Sequence, residues 1–382
     1  MRRLLPLAIV VVLAAGCAGS HQASSSCTSG PSEFVLRALP GNGQPVTSAG
    51  MQLAAQIMTD RVDRIGVASP KVTVAGDEIT IQFAGLHEVT KDISLVGSTG
   101  ELQFFDFEKD LAPPTVNNGN PTPYPTLFSL LERIQGQVNA GGGPSAYYLF
   151  GTKTMVSHRI VNGERITKKT KIENALLAGP DFTHKQLLAG YRGHKPSGTT
   201  ILAVPANREV VSGPVETAAT QPVKRSPDGI YWYLFNDYPD APNGPPELTG
   251  TDLKESAIAA SNDQTTGQPE VQLGFTRHGA KEFQAITKAE YDRGALVAGL
   301  HGSSNVYSDQ YGQHNAIVLD NKLHATPYID YTDSALSLGI AGAQAIISNM
   351  GSIQAANNLA LVLQSGSLPY RFQRVSLRTC SR

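Results

Sequence analysis

The segment KVTVAGDEITIQF, residues 71–83, constrains the fold of this chain more than any other. Apolar and polar residues alternate with a period of two through Lys71–Ala75 and again through Glu78–Phe83. Such alternation is typical of a strand with one buried face, and Gly76-Asp77 between the two runs suits a tight turn. The segment therefore predicts a β-hairpin, and its neighbours decide which fold contains it.

A strand and a helix are predicted before this hairpin. Phe34–Leu39 has the composition of a strand. A helix is expected to begin after Thr47 and to end at Gly66, because apolar residues recur between them at intervals of three and four. Those residues are Met51, Ala54, Ala55, Met58, Val62 and Ile65. Strand, helix and hairpin thus follow one another in the order β-α-β-β.

Two further elements complete a first module. A second helix is predicted over His87–Val96, and a strand over Glu101–Phe107. The order β-α-β-β-α-β is that of the ferredoxin-like split arrangement. We therefore expect an α+β protein in which residues 32–110 form a ferredoxin-like base.

The remainder of the chain divides where its composition changes. Pro, Asn and Gly are concentrated in residues 111–125, which predicts a boundary. Residues 111–228 are interpreted as a linker and an insert with no assigned role. Regular patterns return at residue 229, so residues 229–370 are interpreted as an α+β head module that ends in an amphipathic helix, and residues 371–382 as a tail.

Charge and histidine placement argue against two classes of ligand. Lys and Arg number 31 and Asp and Glu 32, which gives a formal net charge of -1 and no global attraction to nucleic acid. His158, His184 and His194 lie in unlike contexts without the spacing of a zinc site. We therefore predict no nucleic-acid partner, no metal and no cofactor.

The N-terminus has the pattern of a bacterial export signal. Two arginines precede the apolar run Leu4–Ala15, which is shorter than the roughly 20 residues that a membrane-spanning helix needs. The small residues before Cys17 are similar to the lipobox of bacterial lipoproteins, in which the cysteine becomes the lipidated N-terminus. We expect a signal peptide at 1–16, a lipid anchor on Cys17 at the extracytoplasmic face of the cell membrane, and a polar tether at 17–31. The alternative is an ordinary secretory peptide.

The other two cysteines are Cys27 and Cys380. Disulfides are typical of exported proteins, and an even pair remains once Cys17 is set aside for the lipid. Cys27 precedes the first folded element and Cys380 lies near the C-terminus, so a disulfide would join the two ends. The alternative is two unpaired thiols.

A charged run, DRVDRIGV, occupies residues 60–67 at the end of the first predicted helix. Charged residues spaced by three or four usually form a solvated face with local ion pairs. Considered alone, the run is therefore interpreted as a solvated helix face.

The same run resembles a known family when later segments are considered with it. RVDRIGVASPKV, GDEITIQFAGL and STGELQFFDF resemble the start of the first periplasmic domain of SecD, a protein-export subunit. The central proline of the family's Leu-Pro-Gly-like loop is missing from Ala84-Gly85-Leu86. Further segments follow in the SecD order: LTGTDLKES, VQLGFTRHGAKEFQAIT, AIVLDNKLHATPYI, GIAGAQAIIS and SIQAANNLALVLQSGSLP. The middle insert matches least.

The resemblance implies a base near the membrane and a protruding head that holds emerging polypeptide. It implies the Sec channel, SecD- or SecF-type subunits and translocating polypeptide as partners. In the family, membrane helices with a proton-coupling acid follow the -SGxLP- segment, and here the printed sequence ends soon after it. We therefore expect a lipid-anchored accessory of export without its own proton-driven motor.

The expected polypeptide contacts lie in the head. Phe283 belongs to a predicted helix on which Ala280 and Ile286 share its face, and Tyr307 and Tyr311 lie in the loop that follows. Aromatic rings such as these can stack on unfolded peptide. Ordinary loop packing of the two tyrosines is the alternative.

Two other functions are weighed against export. One is an extracytoplasmic binding module that kept the fold and lost the export role. The other is a hydrolase, whose polar groups would come from His301, Ser303, Ser304, Asp309 and His314. Because no G-x-S-x-G nucleophile elbow accompanies them, we predict no catalytic residues and no enzymatic activity.

Overall fold

The structure is a computed structural model, and its fold is α+β, as predicted. It describes residues 23–27, 32–39, 45–67, 70–83, 94–117, 119–138, 143–161, 164–214, 226–238, 241, 244–300, 311–342, 344–348 and 350–380.

The α-helices within these ranges are α1 Ser48–Arg64, α2 Phe107–Asp110, α3 Leu127–Ile134, α4 His184–Leu187, α5 Arg277–Leu300 and α6 Ile353–Gln364. The prediction of a helix between Thr47 and Gly66 is confirmed. The Thr47 hydroxyl accepts a hydrogen bond from the Gly50 N–H at 3.1 Å and so caps the helix. Gly66 has a φ of 85°, which glycine adopts at little cost, and the chain leaves α1 there.

The strands within the same ranges are β1 Ala23–Cys27, β2 Ser32–Leu39, β3 Lys71–Ala75, β4 Glu78–Phe83, β5 Leu102–Asp106, β6 Val116–Asn117, β7 Asn120–Pro121, β8 Ala146–Val161, β9 Glu164–Asp181, β10 Thr200–Val204, β11 Arg208–Gly213, β12 Tyr231–Asn236, β13 Leu248–Thr249, β14 Ala259–Asn262, β15 Pro269–Gly274, β16 Gln313–Leu319, β17 Lys322–Ala325, β18 Tyr328–Ile329, β19 Gln344–Ile347 and β20 Arg371–Cys380. The predicted hairpin is confirmed as β3 and β4.

The base sheet has the strand order β1-β20-β2-β4-β3. Strands β20, β2, β4 and β3 are arranged as in a ferredoxin-like sheet. In this arrangement β20 takes the place of the fourth strand in the β-α-β-β-α-β order. The prediction that Glu101–Phe107 completes this sheet is wrong. So are the interpretations of residues 371–380 as part of a tail and of residues 23–27 as part of a polar tether, because both segments are strands of this sheet. β5 is buried at every position, which suits an interior strand of a sheet covered on both faces, whereas β20 lies between β1 and β2 in the base.

Within the second predicted helix, His87–Val96, residues 94–96 are helical, and the earlier residues lie outside the described ranges. The side chain of Val96 is buried in the base core beneath α1.

A central sheet of seven strands lies beside the base, with β12, β11, β17, β16, β5 and β13 in order and β18 paired to β16. Its strands come from three separate parts of the sequence, since β5 belongs to the first predicted module, β11 to the insert and β16 to the head. The boundaries drawn at residues 110 and 228 therefore do not separate independent sheets.

The head is built on the three-stranded sheet β14-β15-β19. α5 and α6 contribute to the apolar core that covers it, and Phe104 of β5 belongs to the same core. A second three-stranded sheet, β10-β8-β9, contains the long antiparallel pair β8 and β9. The head core thus continues into the central sheet, while Tyr148 and Phe150 of β8 share a separate core with Val210 of β11 and Leu234 of β12.

Candidate functional site

Phe283 of α5 is a core residue, so its interpretation as a polypeptide contact is wrong. Its side chain is 5% exposed. The ring stacks on Phe275 with centroids 4.8 Å apart, and it meets Phe104 edge-on at 6.3 Å. Phe283 lies on the buried face of α5, because the spacing that it shares with Ile286 is the spacing of a helix face that packs on a core.

Of the two predicted tyrosine contacts, only Tyr311 lies within the described residues. It is half-buried beside α5, and its carbonyl lies 3.2 Å from the position that a side chain on Gly294 would occupy. Tyr307 lies outside the described residues. The contact role of both tyrosines stays a prediction.

The exposed face of α5 changes character along its length. Its first half carries charged side chains, including Lys288, which pairs with Asp292 one turn later. Its last turn instead exposes Leu296 by 63% and Leu300 by 78%. Residues four apart on a helix lie side by side, so these two side chains form one apolar surface, which we call the leucine end of α5.

The polar residues considered for a hydrolase are not brought together in the described structure. His301, Ser303, Ser304 and Asp309 lie outside it. His314 is buried, and its Nδ1 lies 2.7 Å from Oε1 of Glu108 on α2. His314 therefore fixes α2 against β16.

The other histidines lie apart from one another. His184 packs its ring against Tyr147 with centroids 4.4 Å apart, and His194 is exposed. His158 lies in β8. No group of side chains that could hold a metal ion occurs in the described part of the chain.

The buried side of α5 carries a charge network. Arg293 donates two hydrogen bonds to Asp106 of β5, at 2.5 and 2.6 Å. Burial raises the pKa of Asp106 even so, although the guanidinium opposes the shift. This pair joins the head helix to the central sheet in a poorly solvated place.

Glu290, one turn before Arg293, is fully buried. Burial raises its pKa well above the usual value, and the nearby carboxylates Asp106 and Glu108 raise it further. The Asn315 amide donates to Glu290 Oε1 at 3.4 Å. Within the described residues, Glu290 Oε2 and Asn315 Oδ1 have no hydrogen-bond partner. A protonated Glu290 carries an O–H that can donate to such an oxygen, so the neutral acid suits this place.

Arg61 in the charged run of α1 is fully buried. It donates to the carbonyls of Val96 at 3.1 Å and of Gly366 at 2.7 Å, and to the Ser365 hydroxyl at 3.0 Å. Burial lowers its pKa to about 10. The interpretation of the run as a solvated face is therefore wrong for Arg61, which ties the base to the segment after α6. It is correct for Arg64, which is exposed and pairs with Asp60 at 2.7 Å.

A polar cavity of about 300 Å³ lies where the base, the central sheet and the insert meet. Arg371, the first residue of β20, lines it and donates to Asn321 Oδ1 at 2.7 Å. Glu209 also lines it, and burial raises the pKa of its carboxyl to about 8. The junction therefore holds a carboxyl group that is mostly protonated near neutral pH.

Cys27 and Cys380 are brought together along the backbone. β1 and β20 pair in parallel, and Cys27 is the direct register partner of Cys380. Adjacent strands lie about 4.8 Å apart, within the Cα separation that a disulfide requires. Cys17 lies outside the described residues. Among the helices that the structure describes, none is both long enough and apolar enough to cross a membrane.

The ferredoxin-like base, the central sheet and the helix-covered head together define a two-module α+β domain with an apolar helix end. Comparison with known families identifies both modules. Residues 51–109 match the N-terminal part of the P1 domain of the protein translocase subunit SecDF, and residues 241–370 match the SecDF P1 head subdomain. The two matched segments are thus similar to both parts of the P1 domain of the SecD/SecDF family, which the sequence resembles.

Curated relatives give the same family. The protein translocase subunit SecDF of Thermus thermophilus is 35% identical over 135 residues, which is 35% of this chain and 14% of the relative. The SecD subunit of Acidaminococcus fermentans is 36% identical over 132 residues, which is 35% of this chain and 24% of the relative. The chain therefore spans a quarter or less of these relatives.

Solved structures of SecDF also match this chain. One, described as a membrane component that enhances protein export, is 20% identical to this chain with a TM-score of 0.44. The match covers 91% of this chain and 99% of the solved chain. Another, in a super-membrane-facing form, has a TM-score of 0.46 at 20% identity and covers 91% of this chain and 30% of its own.

Sequence reasoning missed the leucine end of α5 and the role of Arg61. A helical projection carried past residue 290 would have shown Leu296 and Leu300 next to each other and turned away from Phe283. No comparable signal marks Arg61, since its partners Val96 and Gly366 are distant in sequence.

Proposed function

We propose that this protein is a lipid-anchored accessory of Sec-dependent export that binds emerging polypeptide or the channel. The observation that carries the proposal is the match of both P1 modules, base and head, in one chain and in the family's order. A lipid on Cys17 would keep the domain at the extracytoplasmic face of the membrane.

The leucine end of α5 is the surface proposed to hold polypeptide. Unfolded chains expose apolar side chains, and burying apolar area contributes about 25 cal/mol per Å². Leu296 and Leu300 together offer contacts of a few kcal/mol at most, roughly that of a millimolar complex. Weak contacts of this kind suit a holder that must release a moving chain. Tyr307 and Tyr311 are proposed as additional contacts.

The base and the head are connected by hydrogen bonds of one arginine. Arg61 links α1 of the base to Ser365 and Gly366, which directly follow α6 of the head. We propose that the head moves as one rigid unit on this connection while it holds the polypeptide.

Photo-crosslinking in living cells tests the polypeptide contact. A photoreactive residue is placed at Leu296 or at Leu300 while a secretory precursor is stalled in the channel. The matched control is Ala285, which is exposed on the polar half of the same helix. We expect adducts to the precursor or the channel from the two leucine positions and few from Ala285.

Two outcomes would contradict the export role. Adducts to a single unrelated envelope protein would favour the alternative, a binding module that lost the export role. Absence of adducts, with normal expression and anchoring, would do the same. Mass spectrometry of the exported protein tests the anchor separately, and an unmodified Cys17 would exclude it.

A further inference from the structure

The strand pair β8 and β9 continues well beyond the sheet that holds it. β10 pairs with β8 only as far as Phe150, whereas β8 and β9 pair up to Val161 and Glu164. We call residues 153–161 and 164–173 the outer ribbon. At about 3.3 Å per residue the ribbon extends roughly 30 Å from its support. It lies between the segments that match the two P1 modules.

The described side chains of the outer ribbon are open to solvent on both faces. Residues 153–157 and 167–171 are all exposed. A two-stranded ribbon with no third strand and no covered face is marginally stable in water. A surface that covers it would therefore stabilise it.

The outer ribbon is basic in a chain that is otherwise slightly acidic. Between residues 153 and 173 there are six Lys or Arg residues and two Glu residues, whereas the whole chain has a formal net charge of -1. The basic residues are Lys153, Arg159, Arg165, Lys168, Lys169 and Lys171. A positive potential is thus concentrated on one projecting element.

Two exposed aliphatic side chains lie on the strand that pairs with most of these lysines. Met155 is 52% exposed and Val156 is 50% exposed. Val156 lies directly opposite Lys169, and Met155 lies opposite Thr170, one residue from each of Lys169 and Lys171. Directly opposed residues share a face of the ribbon, so apolar groups occur on both of its faces.

We propose that the outer ribbon binds the surface of an anionic phospholipid bilayer. The lysine ammonium groups would lie among the lipid phosphates, while Met155 and Val156 enter the boundary between headgroups and acyl chains. A ribbon that enters a bilayer interface meets lipid on both of its faces. Nucleic acid fits less well, because residues 153–173 contain no Phe, Tyr or Trp on which bases could stack.

Vesicle flotation tests this proposal. The full chain is used with Cys17→Ser, so that no acyl chain can be attached. Its binding to phosphatidylcholine vesicles is compared with its binding to phosphatidylcholine vesicles that contain phosphatidylglycerol. The apolar N-terminal run is common to every variant and sets the binding to the neutral vesicles. We expect stronger binding to the anionic vesicles, and we expect salt to remove the difference.

Matched variants assign the effect to the ribbon. The triple variant Lys168→Ser, Lys169→Ser and Lys171→Ser is compared with Lys71→Ser, Lys254→Ser and Lys281→Ser, which removes the same charge from exposed positions elsewhere. Each basic residue near an anionic surface contributes about fivefold to partitioning, so the ribbon variant should bind about a hundredfold more weakly. The control variant should bind like the parent. Met155→Ser with Val156→Ser should weaken binding about tenfold.

Several results would overturn the proposal. Equal losses in the two triple variants would assign the effect to net charge alone. Equal binding of the parent to both kinds of vesicle would exclude anionic lipid as the ligand of the ribbon. Ribbon-dependent binding to polyglutamate or duplex DNA, but not to anionic vesicles, would assign the ribbon to another partner. Self-association of the ribbon variant with unchanged vesicle binding would show that the lysines only protect strand edges.

Discussion

Glu290 shows how a single buried acid can affect the stability of the whole protein. Its raised pKa means that the folded protein keeps a proton that the unfolded chain releases above its usual pKa of about 4.5. The contribution of Glu290 to the free energy of unfolding is therefore fully present below that pH. It is lost as the pH rises towards the pKa of Glu290 in the folded protein. The slope reaches about 1.4 kcal/mol per pH unit for one such group.

We expect Glu290→Gln to reduce this loss. The glutamine amide stays neutral and can donate to Asn315 Oδ1 as the protonated acid can. Urea unfolding at about pH 5 and about pH 8 should show a smaller fall in the free energy of unfolding for the variant than for the parent. Glu209 and Asp110, whose pKa burial raises to about 8, remain in both proteins. The control is Glu282→Gln, a partly exposed acid on the same helix, and an equal change there would contradict the assignment.

Arg61 and Arg64 lie one turn apart on α1 and differ in burial. Arg61→Ala should lower the free energy of unfolding by about 3 kcal/mol or more, since it leaves the carbonyls of Val96 and Gly366 without their donor. Arg64→Ala removes only an exposed ion pair with Asp60 and should cost less than about 1 kcal/mol. Urea unfolding of both variants measures the difference, and similar costs would mean that Arg61 is not buried as described.

The sequence alone cannot separate these two arginines. Both lie in one charged run and have the same local composition. The difference comes from residues 365–366, about 300 positions away, which no local pattern connects to α1.

At the scale of elements, local pairing was predicted well and distant pairing was not. The hairpin of β3 and β4 was predicted because its turn and both its strands are contiguous. The fourth strand of the base could be β5 or β20, and composition alone does not distinguish them. β5 is buried at five consecutive positions and lies between β16 and β13 of the central sheet, whereas β20 pairs with β2 in the base.

The same pairing makes the proposed disulfide testable. Two thiols, Cys27 and Cys380, would lose two protons and two electrons to an oxidising disulfide, such as that of an exported thiol oxidoreductase. We expect non-reducing peptide mapping of exported protein carrying Cys17→Ser to find the cross-linked peptide. Reduction should then lower the free energy of unfolding by about 2–4 kcal/mol. The variant Cys27→Ser with Cys380→Ser should not respond to reduction, and free thiols in the exported parent would refute the bond.

At the scale of the whole molecule, the central sheet unites parts that the sequence keeps apart. The family's order of segments predicted an α+β protein with a base and a head. It did not predict that β5, β11 and β16 share one sheet, because each lies in a different segment of the chain. The long β8 and β9 ribbon was likewise missed, since a polar strand pair open on both faces lacks the alternation that marks a buried face.

This architecture predicts an uneven pattern of amide hydrogen exchange. β5 and β16 lie inside the central sheet and should exchange only in near-global unfolding. The outer ribbon should exchange fastest among the described strands, because local opening exposes it without disturbing a core. Mass spectrometry after brief labelling measures both. Protection of the outer ribbon equal to that of β16 would mean that something covers it in the free protein.

The direct passage from α6 into β20 also decides how a load would travel. Only residues 365–370 separate the last head helix from the strand that crosses the base. Part of a pull on the head is therefore applied along β20, which pairs with β2 from Leu39↔Arg371 to Glu33↔Arg378, and the rest reaches the central sheet through the shared core. Hydrogen bonds stretched along a strand share the load in shear instead of opening one after another. The base would thus act as a stiff mount for a head under tension.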